Sequence, residues 1–391
     1  MRARIFKPEL ENITTVAEAL QRGEVAGVPT ETVYGLAGDC HNPLAVTRIF
    51  QAKERPTFDP LIVHVPASAR SLGALERLKV INAQKIPDSA KAQIELLMSH
   101  FWPGPLTLIF PKHDEIPDLV TSGLPTVAVR MPRHPVMQSL LATCGVPLAA
   151  PSANRFGHIS PTTAQAVMDE LGDRIDLILD GGTCEVGLES TILFLPLEGS
   201  HTPTLLRHGG ISQEEIEKVL GTSIGGPALI GAALGPSEEA APDVSAAPSV
   251  VQGLQAPGML AKHYAPTKPF YLLPNTWELS RTSESAEFIQ EICKKSTPSA
   301  DAPAGAVGLL LLSGDPVAAQ ERLSALLQRP VIARSLSPKG DLAEAAHSLF
   351  AEMRFLDALP EIELIFSEPC VRKEGLGHAI ADRLWRASQR Y

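Results

Sequence analysis

The sequence predicts an α/β protein with two open sheets: a larger amino-terminal sheet with flanking helices, a long linker, and a smaller carboxy-terminal α/β unit. Three observations predict it. At 391 residues the chain exceeds the roughly 250–300 residues over which one hydrophobic core keeps growing. Up to about residue 212, short β-rich runs alternate with helix-patterned segments, as in a sheet with helices packed on its faces. Residues 221–258 are then rich in Gly, Ala, Pro and Ser and contain no aromatic residue and no Lys or Arg, the composition of a linker. The expected division is 1–212, 213–266 and 267–391.

In chain order, the first unit offers the runs "EVAGVPT", "PLIVHV", "LTLIFP", "TVAVRMP", "VPLAAPSA", "DLILDGG" and "STILFLP", a sheet of roughly seven strands. Many are apolar on successive residues, as strands covered on both faces are. Helix punctuation lies between them. Asn42 and Pro43 cap and open a helix through Lys53, Pro135 opens one that Gly145 closes, and Ser160-Pro161 opens another that Gly172 closes. "FWPGPLTLIF" reads as a turn between helix and strand, with Phe101 and Trp102 in the core. Beyond the linker, "FYLL", "GAVGLLLLSG" and "EIELIFS" read as strands. Leu342, Ala345, Ala346, Leu349, Met353 and Leu356 form the stripe of an amphipathic helix, and "GHAIADRLWRAS" closes the chain as another.

The bulk chemistry narrows the function. The net charge is −10, and residues 1–212 alone hold 18 Lys+Arg against 22 Asp+Glu, so any contact with RNA is expected to be local or transient. The cysteines Cys40, Cys144, Cys184, Cys293 and Cys370 are scattered and form no CxxC pair, which indicates neither a disulfide framework nor a metal site. No apolar run approaches the roughly 18 residues of a membrane helix, and the first residues lack a signal pattern, so a cytoplasmic protein is expected.

Strand after strand in the first unit ends in polar groups, and ligands of open α/β sheets gather beyond the carboxyl ends of strands. "GVP" runs into Thr30-Glu31-Thr32, "TVAV" into Arg130, "PLAA" into Pro151-Ser152-Ala153-Asn154, and "DLILD" into Gly181-Gly182. "VGLES" carries Ser190 into a strand, and "TLL" ends in Arg207. Lys53, Arg55, Arg130 and Arg207 supply cations for carboxylate or phosphate, and Ser152, Asn154, Ser160 and Ser190 supply neutral donors. Each also has a plainer reading: Lys53 as a helix-end cation, Ser160 as a helix cap, Ser152 and Asn154 as turn formers, His64 as a half-buried histidine. Their conjunction favours a phosphate-bearing ligand beside a small carboxylate. No GxxxxGK[ST] or GxGxxG occurs, so a nucleotide would need another kind of cradle.

Taken together, "PTETVYGL", "FQAKERPTFDPLIVHV", "FWPGPLTLIF", "TVAVRMPRHP", "PLAAPSANRFGHISPT", "DGG…GLESTI", "LLRHGGIS" and "APGMLAKHYAP" resemble, in order and spacing, the YrdC-like threonylcarbamoyl-AMP synthases. The long form is the one resembled, with a linker and a carboxy-terminal Rossmann-like domain. The likeness is strongest over residues 27–212 and 257–266 and weaker from 267 on.

The resemblance implies a YrdC-like twisted open sheet with flanking helices, and a nucleotidyltransferase. Its substrates would be L-threonine, bicarbonate or carbon dioxide, and ATP with Mg2+; its products, threonylcarbamoyl-AMP and pyrophosphate. The threonylcarbamoyl group would pass, through a tRNA threonylcarbamoyl transferase complex, to the adenosine after the anticodon of tRNAs reading codons that begin with A. Carried over by position, threonine is expected near Thr32, His64, Arg130, Ala150 and Ser190. ATP is expected near Lys53, Arg55, Asp59, Thr126, Ser152, Asn154, Ser160, Arg207 and Tyr264. Lys53, Arg55 and Arg130 are the expected catalytic cations, with Arg130 clamping the threonine carboxylate. No side-chain nucleophile is required, because the carbamate itself attacks phosphorus and catalysis consists of positioning and charge stabilisation. "PGMLAKHYAP" is expected to close over the labile adenylate, with Tyr264 reaching the nucleotide.

Two departures from the family pattern KGRP…NPL stand out: Glu54 replaces Gly and Asp59 replaces Asn, each adding a negative charge beside the expected cations. The linker's Leu260-Ala261 also departs, standing where a basic or aromatic residue is common. Two other readings compete. An RNA-binding or regulatory module on the same fold would show a basic face, against the charge count. Carbamoyl transfer to a thiol, as in hydrogenase maturation factors, would bring cysteine pairs that are absent here.

Overall fold

The computed structural model describes residues 2–196, 202–226, 263–276, 283–296 and 305–389. Among them, one mixed sheet has ten strands and one parallel sheet has four. The strands of the first are β1 (Arg4–Phe6), β2 (Ala26–Val28), β3 (Gly35–Asp39), β4 (Ile62–His64), β5 (Leu106–Pro111), β6 (Thr126–Arg130), β7 (Leu148–Ala149), β8 (Leu177–Leu179), β9 (Thr191–Phe194) and β10 (Thr204–Arg207). They lie in the order β1-β8-β2-β3-β7-β4-β6-β5-β9-β10. Its helices are α1 (Leu10–Gln21), α2 (Pro43–Lys53), α3 (Leu72–Arg77), α4 (Asp88–Phe101), α5 (Asp118–Thr121), α6 (Pro135–Cys144), α7 (Ala164–Leu171) and α8 (Gln213–Leu220).

Every expected run of the first unit carries a strand, and "TLL" continues into β10. The additions are β1, only three residues long, and β3, "GLAGD", whose glycines weaken any strand pattern. Packing explains those glycines: a Cβ on Gly35 would stand 3.1 Å from the Ala150 methyl, and one on Gly38 3.2 Å from Ile49. β3 is thereby admitted between β2 and β7. It pairs antiparallel with β2, Val28 opposite Gly35, so the polar stretch at 29–34 is the wide loop of a hairpin.

Helix ends fall as expected where the cap chemistry is unambiguous. The Asn42 side chain accepts from the Leu44 and Ala45 amides at the start of α2, and Gly145 closes α6 in the left-handed conformation at φ 69°. α7 differs: its cap is Thr163, which accepts from the Ala166 amide, and Ser160 is used elsewhere. Trp102 is buried, with its Nε1 donating to the Leu106 carbonyl at 2.7 Å, whereas Phe101 is half-buried at the edge of the core. Residues 213–220, expected as linker, form α8, opened by a capping box between Ser212 and Glu215.

The second unit comprises β11 (Phe270–Leu272), α9 (Ser283–Ser296), β12 (Ala306–Ser313), α10 (Pro316–Leu327), β13 (Val331–Ser337), α11 (Leu342–Ala358), β14 (Ile362–Ser367) and α12 (Gly377–Ser388). Its strands run in parallel in the order β11-β14-β12-β13. The predicted stripe of α11 is its buried face, Leu342 partly covered at one end. α9, α10 and β13 lie beyond the sequence expectations; β13 carries Arg334, which pairs with Glu352, and so lacks a clean apolar run. The two units share one apolar cluster, in which Val33, Ile159, Leu188 and Tyr264 pack with Leu349, Phe350 and Leu384. The linker beyond residue 226 and lid residues 257–262 lie outside the described residues. Among the described helices, none is long and apolar enough to cross a membrane.

Candidate active site

One cleft gathers most of the predicted residues. Thr32, His64, Arg130, Ala150 and Ser190 line it, as do Arg55, Ser152, Arg207 and Tyr264. Its open space, counted out to solvent, is about 540 Å³. Lys53, Asp59, Asn154 and Ser160 are buried and support it without lining it. Thr126 opens β6 four residues before Arg130, about 13 Å away along the strand, and does not line the cleft.

The cleft is not placed as the carboxyl-end rule predicts. β3, β4, β6 and β10 run opposite to the other strands, so carboxyl ends point both ways. His64 and Arg130, opposite each other on parallel β4 and β6, close their strands, while Ser190 precedes β9 and Ala150 follows β7, which runs against β4. The site is therefore built across a mixed sheet, from both ends of its strands, and local connections rather than one sheet edge bring the groups together.

On one side, Thr30 organises the hairpin loop: its hydroxyl donates to the Val33 carbonyl at 2.6 Å and accepts from the Thr32 and Val33 amides. This fixes Thr32, whose hydroxyl accepts from Arg130 Nη1 at 2.7 Å. Arg130 Nε donates to the Gly104 carbonyl at 3.3 Å, and Nη2 stands 2.7 Å from the Glu31 carboxylate. Of the five donors of a guanidinium, these hydrogen bonds use two. His64 is buried, with its Nδ1 bonded to the Ile62 carbonyl at 3.2 Å. Burial, reinforced by the Arg130 cation, pushes it down to about 3, so it is a neutral imidazole near pH 7.

On the other side, Arg207 Nη2 donates to the Ser190 carbonyl at 2.9 Å and hydroxyl at 3.1 Å, and Ser190 also bonds the Thr107 hydroxyl. Arg55 donates to the Asp59 and Pro60 carbonyls and pairs with the Asp59 carboxylate at 2.8 Å, leaving Nη1 outside these bonds. Asp59 is thus first of all a counter-ion to Arg55. Lys53, expected to serve the phosphates, does not line the cleft. Its ammonium is buried and donates to the Ser152 and Asn154 carbonyls, both at 2.5 Å, which shapes the loop presenting Ser152. Burial, with Arg55 beside it, holds Lys53 well below the usual lysine range. Ser160 donates to Glu189 at 2.6 Å. The Asn154 amide donates to the Arg155 and His158 carbonyls, and its buried side-chain oxygen has no hydrogen-bond partner among the described residues.

Glu54 takes a different place from the one its charge suggested. It caps α2 in the left-handed conformation, φ 54°, which is why glycine suits that position. Its side chain is exposed and pairs with Arg174 at 2.8 Å. Glu54→Gly should therefore change stability by no more than about 1 kcal/mol and leave the Michaelis constant for ATP within about twofold, because a screened surface charge reaches the cleft weakly. A larger shift in ATP affinity would show that the charge acts on the site.

Three residues at or beside the cleft were not among the predicted site residues. Glu31 is buried, pairs with Arg130, and has no aligned hydrogen-bond donor on either oxygen among the described residues. Glu189 lines the cleft; its Glu-Ser adjacency to Ser190 was the available signal. His263 also lines the cleft, next to Tyr264 at 4.1 Å between rings. Burial and then the cations Arg55, Lys53 and Arg207 hold it well below the usual histidine range. Tyr264 is buried, stacks on Phe350 at 5.5 Å and lies beneath the Arg383 guanidinium at 5.3 Å.

Comparison with known proteins is consistent over both units. A family model described as telomere recombination matches residues 18–209, and one described as threonylcarbamoyl-AMP synthase, C-terminal domain, matches residues 211–389. The chain is 35% identical to a threonylcarbamoyl-AMP synthase of Pyrococcus abyssi over 377 residues, covering 96% of this chain and 94% of that protein. It is 42% identical to the protein of the same name from Bacillus subtilis over 258 residues, 66% of this chain and 65% of that one. A crystal structure of P. abyssi Sua5 complexed with L-threonine superposes with a TM-score of 0.76 at 34% identity, covering 99% and 98% of the two chains.

Proposed function

Because the chain belongs to the threonylcarbamoyl-AMP synthase family, we propose that its cleft is where L-threonine, bicarbonate and ATP become threonylcarbamoyl-AMP and pyrophosphate. The observation that carries this reading is Arg130, a buried cation flanked by Thr32 and neutral His64, in a cleft that Arg55 and Arg207 also line. Threonine lies at the Arg130 side, its carboxylate taking the donors that Glu31, Thr32 and Gly104 leave. ATP lies at the side of Arg55, Ser152, Arg207 and Tyr264.

The chemistry needs no nucleophile from the protein. The neutral amine of threonine adds to carbon dioxide, giving a carbamate and releasing a proton. A carbamate oxygen attacks the α-phosphorus, and pyrophosphate leaves with the electrons of the broken P–O bond. The protein's part is to align the two reactants and to meet the growing phosphate charge with Arg55 and Arg207. Lys53 acts through the Ser152–Asn154 loop that it holds.

Magnesium fits as an ion that arrives on ATP, where it would neutralise phosphate charge. Glu31, Glu189 and Asp59 each already face an arginine, a donor set suited to an ion held by phosphates and waters rather than by a protein cage. The product, a mixed anhydride too labile to travel far, calls for a tRNA threonylcarbamoyl transferase complex close by, in the cytoplasm where tRNA and ATP are.

Purified protein with ATP, magnesium and bicarbonate is expected to release pyrophosphate only when threonine is added, as measured by a coupled phosphate assay. Threonine-independent release, or none, would remove this reading.

A further inference from the structure

Arg383 sits on α12, the last helix of the second unit, yet is fully buried against the first. Its Nε and Nη2 both lie 3.1 Å from Glu189 Oε2. Its Nη1 donates to the His208 carbonyl at 2.7 Å and to Asp382 at 3.0 Å. Glu189 lines the cleft, and its other oxygen accepts from Ser160 at 2.6 Å. The same guanidinium lies over the Tyr264 ring, and His208 directly follows Arg207. One side chain of the second unit thus touches, or is one bond removed from, Ser160, Tyr264 and the Arg207 segment.

Mere docking of the two units does not require this. Arg354 already bridges them by pairing with Glu170 at 2.9 Å, and His347 bonds the Glu185 carbonyl at 2.9 Å; none of these four residues lines the cleft. A fully buried arginine carries a large desolvation cost, which points to a task beyond adhesion. That task is visible in the charges. Glu189 is also within electrostatic reach of Arg207. With Arg383 absent, its buried carboxylate would turn to Arg207, the cation that ATP requires.

We propose that Arg383 is a positioning residue for the nucleotide side of the active site: by holding Glu189 against Ser160 it keeps that carboxylate off Arg207, so the second unit is a working part of the cleft. This rests on the reading that ATP lies at the Arg207 side.

The test is calorimetric binding of ATP and of threonine to the full chain, with melting temperatures alongside. Arg383→Met is expected to weaken ATP binding by about tenfold or more, because it strands a buried charge, and to leave threonine binding within about twofold. The double variant Arg383→Met/Glu189→Gln removes both charges and is expected to restore ATP binding to within about threefold of the parent; it also covers the case in which the single variant does not fold. A double variant that folds and stays as weak as the single one, or a single variant with a lowered melting temperature and unchanged ATP binding, would overturn the proposal. Failure of the parent protein to bind ATP at all would instead overturn the functional reading.

Discussion

Arg130→Ala is expected to abolish threonine-dependent pyrophosphate release, lowering turnover by about 10³-fold, while ATP binding survives within about threefold. The size follows from what is lost: the cation that aligns threonine, on whose placement the rate depends. ATP is spared because Arg55 and Arg207 also line the cleft and are held by their own partners, Asp59 and Ser190. A stability penalty accompanies the change, since Glu31 would be left buried beside no cation, a situation that costs about 3–5 kcal/mol. Arg130→Ala/Glu31→Gln relieves that penalty and should recover thermal stability without recovering activity. Threonine-dependent turnover in either variant near the parental level would place the carboxylate clamp elsewhere.

Tyr264→Ala is the second large effect, and its signature is a change of product. Tyr264 lines the cleft and packs against Phe350 and Arg383. Removing its ring should lower net formation of threonylcarbamoyl-AMP by about 10²-fold and shift the product toward AMP, because water gains access to a labile anhydride. The lost packing also costs about 3–5 kcal/mol. Tyr264→Phe keeps the ring and is expected to stay within about threefold of the parent. Chromatography of the nucleotide products separates the outcomes: an alanine variant that yields intact threonylcarbamoyl-AMP at the parental rate would reduce Tyr264 to an interdomain packing residue.

The physics of what was and was not legible differs between fold and site. Apolar runs such as "PLIVHV" and "LTLIFP" announce buried strands by composition alone, and Asn42-Pro43 or Gly145 announce helix ends by cap chemistry, so these elements stand as expected. β3 was hidden because its glycines answer to tertiary packing against Ala150 and Ile49. Ser160 read as a helix cap because Ser before Pro is chemically sufficient for one; only the fold shows its hydroxyl committed to Glu189. Strand direction is also invisible in composition, which is why a mixed sheet could not be told from one with all its carboxyl ends together. Nine of the sixteen residues that line the cleft were named from their motifs. Their counter-ions were not, because Glu31, Glu189 and Arg383 acquire meaning only from partners far along the chain. Lys53 shows the same limit: its charge is evident in the sequence, but its engagement by two backbone carbonyls is set by the loop it meets.

The most direct measurement follows the carbon atom. Protein incubated with isotope-labelled bicarbonate, threonine, ATP and magnesium is analysed by mass spectrometry for an adenylate carrying both threonine and the label. The account predicts labelled threonylcarbamoyl-AMP in equal amount to the pyrophosphate released before hydrolysis sets in, and none when threonine is left out. Pyrophosphate accompanied by an adenylate of threonine without the label would contradict it, because the carboxylate of threonine, and not a carbamate, would then have attacked the α-phosphorus.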